Sequence, residues 1–126
     1  MLAHQMNDDR MDILGDWKLT ACLQDEVHLT SDRIGMTFRF TEEHRTILEL
    51  GIQSEYDLLP NRSPKAINIY VSRSDKFYFR GIYELEADCL RILLNTDTRS
   101  SRPGSMEGIK GDQYKAVEVF HRISKD

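Results

Sequence analysis

The chain has 126 residues, 40% of them hydrophobic and 30% charged, which suits one globular domain and excludes wholesale disorder. Seventeen basic residues against twenty-one acidic leave a net charge of −4, so there is no general attraction for phosphate backbones or anionic lipid, and no nucleic-acid partner is expected. No stretch approaches the ~20 consecutive apolar residues of a membrane span, and Met1–Arg10 lacks the apolar core of a signal peptide, so a cytoplasmic location is expected.

Asp8 suits the N-cap of a short helix carrying Met11 and Leu14, which Gly15 ends. From Trp17 the apolar period falls to two, the mark of half-buried strands. Trp17, Leu19, Ala21 and Leu23 alternate with Lys18, Thr20, Cys22 and Gln24 as a first strand. Met36, Phe38 and Phe40 define a second strand, and Leu48 and Leu50 about Glu49 a third. Ile52, Tyr56 and Leu58 define a fourth, which stops at the turn Pro60–Pro64. Ile67, Ile69 and Val71 mark a fifth strand, and the polar hairpin Ser72–Lys76 leads to a sixth with Phe77, Phe79, Tyr83 and Leu85. After the turn Glu86–Asp88 come Leu90, Ile92 and Leu94 as the seventh. Asn95–Gln113, rich in Ser, Gly, Asp and Arg, reads as a long loop. Val117 and Val119 define the last strand, with Phe120 on its opposite face.

Eight short strands with tight connections and no long crossover helix predict an antiparallel meander. Closing it removes two unpaired edges. The predicted fold is therefore all-β, an eight-stranded antiparallel up-and-down barrel with a short N-terminal helix; a two-sheet sandwich is the competing architecture.

Several motifs in order carry a resemblance. Leu14-Gly15-Asp16-Trp17, Pro64-Lys65-Ala66-Ile67-Asn68-Ile69, Gly81-Ile82-Tyr83-Glu84-Leu85, Arg102-Pro103 and Phe120-His121-Arg122 together resemble a small lipocalin-like, calycin-type domain family of unknown function, known from paralogue sets in planctomycetes. The resemblance spans about Leu14 to Ile123; residues 1–7 are expected to be a flexible N-terminus and 8–126 a single lipocalin-like β-barrel domain. It also implies that Arg122 stacks on Trp17, beside Gly15, to close one end of the barrel. Any ligand mouth then lies at the opposite end. The resemblance brings no activity with it.

Chemistry is sparse. Ser105 in Gly104-Ser105-Met106-Glu107-Gly108 echoes a nucleophile turn but lacks the following helix that such a turn needs, and reads as a turn residue. His4, His28, His44 and His121 lack the spacing of metal ligands; the Val117/Val119 phase would point His121 inward. Asp8-Asp9 and Glu42-Glu43 read as solvated charge, and Cys22 and Cys89 as free thiols. No enzyme activity, metal or cofactor is expected.

The predicted inward set is Leu19, Phe38, Phe40, Leu50, Tyr56, Ile69, Phe79, Tyr83, Ile92 and Val117. An eight-stranded barrel either fills such an interior with side chains or holds one small ligand there. The functional expectation is a non-enzymatic barrel that binds a small apolar or amphipathic molecule in a mouth lined by Phe38, Tyr56, Phe79 and Tyr83. Arg99 and Arg102 of the long loop would meet an anionic group. The alternative is a protein-interaction or inhibitory module that uses its loops and an outer face bearing Ile47, Tyr70, Tyr78, Ile82 and Leu93.

Overall fold

A computed structural model describes residues 8–24, 27–72, 74, 76–95, 102–106 and 116–125. In chain order the elements are α1 (Asp9–Asp12), β1 (Gly15–Gln24), β2 (Val27–His28), β3 (Thr37–Phe40), β4 (His44–Ile47), β5 (Ile52–Leu59), β6 (Ala66–Ser72), β7 (Phe77–Glu86), β8 (Cys89–Asn95) and β9 (Val117–Lys125). Every pairing is antiparallel, in the order β1-β3-β4-β5-β6-β7-β8-β9, and β9 returns to pair with β1. Eight strands thus close a barrel, and the sandwich is set aside. The two-residue β2 is a short ribbon on the far end of β1, where Leu23 faces His28. Among the described residues no helix is long and apolar enough to cross a membrane.

Asp8 caps α1 by accepting from the Arg10 N–H at 3.0 Å. The buried face of this first segment is Asp9 and Ile13, four apart, with Leu14 packed partly against the core as expected, whereas Met11 points to solvent. Gly15 then takes φ +121° to turn the chain into β1, a conformation that glycine adopts at little cost.

The strand phase departs from the expected alternation in three places. In β1 a bulge falls between Leu19, opposite Phe120, and Ala21, opposite Val119. The extra residue switches faces, so Trp17, Leu19 and Cys22 belong to the interior cluster while Ala21 and Leu23 pack outside it. The third strand is not built on Leu48 and Leu50. It is β4, and residues 48–51 are the turn after it, closed by Gly51 at φ +66° with its N–H on the Ile47 carbonyl at 2.9 Å. Leu48 and Leu50 are therefore exposed, and Ile47, expected on the outer face, is buried inside.

In β9, Phe120 faces the interior, with its ring 5.0 Å from Phe38 in an edge contact. Val117 and Val119 lie on the outer wall with Ile82 and Leu93, where Met106 packs over them. The alternation of β9 consequently carries Glu118 and Arg122 inward and His121 outward. His121 is exposed and meets the Thr20 hydroxyl at 2.9 Å.

Trp17, Leu19, Phe38, Phe40, Ile67, Leu90, Ile92 and Phe120 are fully buried, so none of them borders a water-sized void. This part of the barrel is a packed core of interlocked rings, with Phe40 against Tyr56 at 5.3 Å.

Candidate functional site

The two ends of the barrel differ in chemistry. At one end the Arg122 guanidinium lies 4.2 Å from the centre of the Trp17 ring. It donates from Nη2 to the Asp12 carbonyl at 2.6 Å, from Nη1 to the Leu14 carbonyl at 3.1 Å, and from Nε to Asp88 Oδ1 at 3.1 Å. The indole N–H of Trp17 donates to the Ile13 carbonyl at 2.8 Å. Arg122 thereby joins the last carbonyl of α1 and that of Leu14, just before β1, to the barrel and closes this end. A second tie is the buried Asp9, which accepts from Lys65 Nζ at 2.9 Å and from the Tyr83 hydroxyl at 2.7 Å. Burial and the Asp9 carboxylate together hold the Tyr83 phenol far above its usual range.

These contacts locate the residues expected to line a mouth. Tyr83 belongs to the closed end, and Phe38 to the packed core. Tyr56 is buried, with its hydroxyl on the Thr41 carbonyl at 2.7 Å, and burial followed by the Glu42 charge pushes its pKa up to about 12. Phe79 is half-buried on β7. Tyr56 and Phe79 share one register row through Ile69, whereas Tyr83 and Phe38 lie apart from them at the closed end and in the packed core. Arg99 and His4 lie outside the described residues. Arg102 is tied to the β6–β7 ladder, donating to the Ile67 carbonyl at 3.0 Å, the Gly81 carbonyl at 2.8 Å and Asn68 Oδ1 at 2.8 Å. Its guanidinium anchors the described segment 102–106 to the wall.

The expected outer interaction face is also dispersed. Ile47 is inside the barrel, and Ile82 and Leu93 are buried beneath Val117, Val119 and Met106. Tyr70 and Tyr78 remain, with ring centres 5.0 Å apart, Arg80 stacked 4.6 Å from the Tyr78 ring, and the Tyr70 hydroxyl on Asp57 at 2.9 Å.

The opposite end carries the unusual chemistry. Along the seam Trp17 faces Arg122, whereas Cys22 faces Glu118, about 15 Å further along β1 at the rise of a strand. Glu118 and Arg45 reach into the same interior space, with side chains only 20% and 9% exposed and Arg45 Nη1 3.9 Å from Glu118 Oε1. That separation is too long for a hydrogen bond. Arg45 Nε, Arg45 Nη1 and Glu118 Oε1 are buried and have no hydrogen-bond partner. The guanidinium lies 5.2 Å from the Phe38 ring centre, so the packed core forms the floor beneath it.

Burial pushes the Glu118 carboxyl up, and the charges of Arg45 and Arg33 only partly oppose this. Burial likewise pulls the Arg45 guanidinium down against the influence of Glu118. Both shifts have the same meaning: the loss of water outweighs the mutual attraction. Beside them the Cys22 thiol is raised by burial and by the Glu118 charge, with a Ser31 hydrogen bond working in the other direction. Cys22 and Cys89 are free thiols.

Around this polar pair the rim of the barrel mixes exposed apolar side chains with Asp32, Arg33, Glu49, Gln53 and Lys76. Up-and-down alternation from Trp17 places β2, residues 29–36 and the β4–β5 and β6–β7 connections at the Glu118 end. The exposed Val27, Ile34, Leu48, Leu50, Ile52, Val71 and Phe77 all fall there, leaving Met11 and Ile123 at the Trp17 end.

Arg45 and Glu118 are the residues that sequence reasoning missed. A signal for Glu118 existed, since Arg122 stacked on Trp17 requires residues 118 and 120 to share its inward parity. Arg45 had only its place two before Ile47. Among the described residues no group of three His, Cys, Asp or Glu side chains is placed to hold a metal ion. Comparison with family models, curated proteins and solved structures gave no match, so geometry carries the functional argument.

Proposed function

We propose that this protein is a lipocalin-like, non-enzymatic binding barrel that takes a small amphipathic molecule at the end opposite Trp17. The polar part of the guest meets Arg45 and Glu118, and its apolar part lies against the rim. The observation that carries this reading is the set of buried, unpartnered polar atoms on Arg45 and Glu118. Buried polar groups in folded proteins are almost always hydrogen-bonded, and a guest that bonds to them removes a penalty the protein alone leaves standing. The exposed aliphatic side chains at the same end supply a surface for an alkyl portion. The unpartnered atoms have no solvent-accessible surface of their own and Phe38 and Phe120 fill the barrel below, so the guest enters by parting the Arg45 and Glu118 side chains and does not run through the interior.

Native mass spectrometry after incubation with 1-octanol, octanamide or octanoate tests the reading. A saturable adduct of one molecule per chain with at least one of these probes is the expected result. Spectra of protein alone with all three would reject it.

A further inference from the structure

The chemistry of the two orphaned groups is specific enough to name a head-group class for the binding proposed above, on which this step rests. We infer that the Glu118 end of the barrel selects an uncharged head that accepts and donates hydrogen bonds at once, in the simplest case a carboxamide, over a carboxylate.

Arg45 offers only donors and stays protonated, whereas an ionised Glu118 offers only acceptors. Nη1 and Oε1 stand 3.9 Å apart, wide enough to preclude a direct hydrogen bond. One group with a carbonyl and an N–H on the same carbon bridges such a pair: the carbonyl oxygen accepts from the guanidinium and the N–H donates to the carboxylate. Of the three unpartnered atoms, Arg45 Nε, Arg45 Nη1 and Glu118 Oε1, the carbonyl serves Nη1 and the N–H serves Oε1, while the Nε–H points to the other side of the guanidinium and is left to a separate partner.

Charge balance points the same way. With Glu118 ionised, Arg45 and Glu118 together are neutral, and a neutral guest keeps them so. A carboxylate guest satisfies Arg45 but sets a second anion against Glu118 where little water screens the repulsion. An alkylammonium guest has the converse conflict with Arg45, reinforced by the nearby Arg33. A hydroxyl meets both partners but has one oxygen for every contact. Discrimination of this kind comes from the penalty placed on the wrong head as much as from attraction to the right one.

Calorimetric titration near neutral pH with octanamide, octanoate, N,N-dimethyloctanamide and 1-octanol tests the inference. Octanamide is expected to bind about tenfold or more tightly than octanoate, and also than the dimethyl amide, which keeps the carbonyl but has no N–H for Glu118. Glu118→Gln removes the repulsion and adds a donor, so the amide-to-acid preference is expected to fall to about threefold or less. The dimethyl comparison uses the unaltered protein and stands whether or not the variant folds. Octanoate or the dimethyl amide binding as tightly as octanamide would overturn the head-group inference while leaving the binding reading intact. No heat and no adduct with any of the four probes would overturn the binding reading itself.

Discussion

Replacing Arg122 by Met keeps an apolar stem near Trp17 but removes the guanidinium that joins α1 to the barrel. Two charge-assisted hydrogen bonds, to the Asp12 and Leu14 carbonyls, are lost at a largely buried position, where the Arg122 side chain is 9% exposed. Such bonds contribute about 1.5–3 kcal/mol each, and the stacking on Trp17 adds about 1 kcal/mol. The contact to Asp88 contributes little, because that side chain is 79% exposed and water screens the pair. Allowing for relaxation, the loss is about 3–5 kcal/mol, a large share of the stability of a domain this size. Arg122→Lys keeps the charge without the fork, and about half the loss is expected of it. Asp88→Asn is expected to cost under about 0.5 kcal/mol. Urea unfolding followed by the fluorescence of Trp17, the one tryptophan in the chain, measures all three. A loss below about 1 kcal/mol for Arg122→Met, or an equal loss for Asp88→Asn, would refute the carbonyl clamp.

Other perturbations probe other parts of the barrel. At Gly81 an added Cβ would stand 2.6 Å from Leu94 Cδ2 and 2.8 Å from the Leu93 carbonyl oxygen. Backbone cannot yield as a side-chain tip can, so Gly81→Ala is expected to destabilise by about 2–3 kcal/mol in the same assay, outweighing the ~0.5–1 kcal/mol that Ala normally gains over Gly; a neutral or stabilised variant would contradict this. Arg45→Met alone leaves Glu118 buried without its partner and is expected to cost about 3–5 kcal/mol, whereas Arg45→Met with Glu118→Leu is expected to be neutral or up to about 4 kcal/mol more stable. Thermal unfolding that shows the double variant to be the weaker of the two would place the pair among the fold's supports. Asp16 accepts from Arg39 Nε at 2.8 Å and from Arg39 Nη2 at 3.0 Å, which holds its carboxyl below the usual 3.8. This pair stabilises the fold above pH 3.8 and stops doing so as the pH falls through the lowered folded value. Half-exposed Arg39 limits the effect, so Asp16→Asn is expected to cost about 0.5 kcal/mol at neutral pH and nothing in strong acid, read from urea midpoints across pH.

Much of the fold was legible because long strands with one buried face write their period into the chain. Ile67 and Ile69 in β6 and Leu90 and Ile92 in β8 face the interior as their alternation requires. Asp8 capped its helix as its side chain suggested. What failed was parity. The bulge at Thr20 inserts one residue and leaves Ala21 and Leu23 outside, and an alternation pattern has no term for an extra residue. Val117 and Val119 seemed inward because they are β-branched and apolar, yet a second apolar layer on the outer wall, with Ile82, Leu93 and Met106, also buries valines. The site was hidden for a related reason. Charged residues that alternate with apolar ones mark the solvent face almost everywhere, so Arg45 beside Thr46 and Glu118 between two valines read as surface. Only the stacking of Arg122 on Trp17 carried the contrary parity.

Nuclear magnetic resonance of labelled protein titrated with octanamide locates the guest. If it is held at the Arg45–Glu118 end of the barrel, saturable shifts are expected of the Arg45 Nε–H and of the backbone amides of Cys22, Ser31 and Glu118, with the Trp17 indole N–H at the closed end unmoved. Shifts confined to the Tyr70–Tyr78 face, or an Arg45 Nε–H that does not respond at saturation, would contradict that placement.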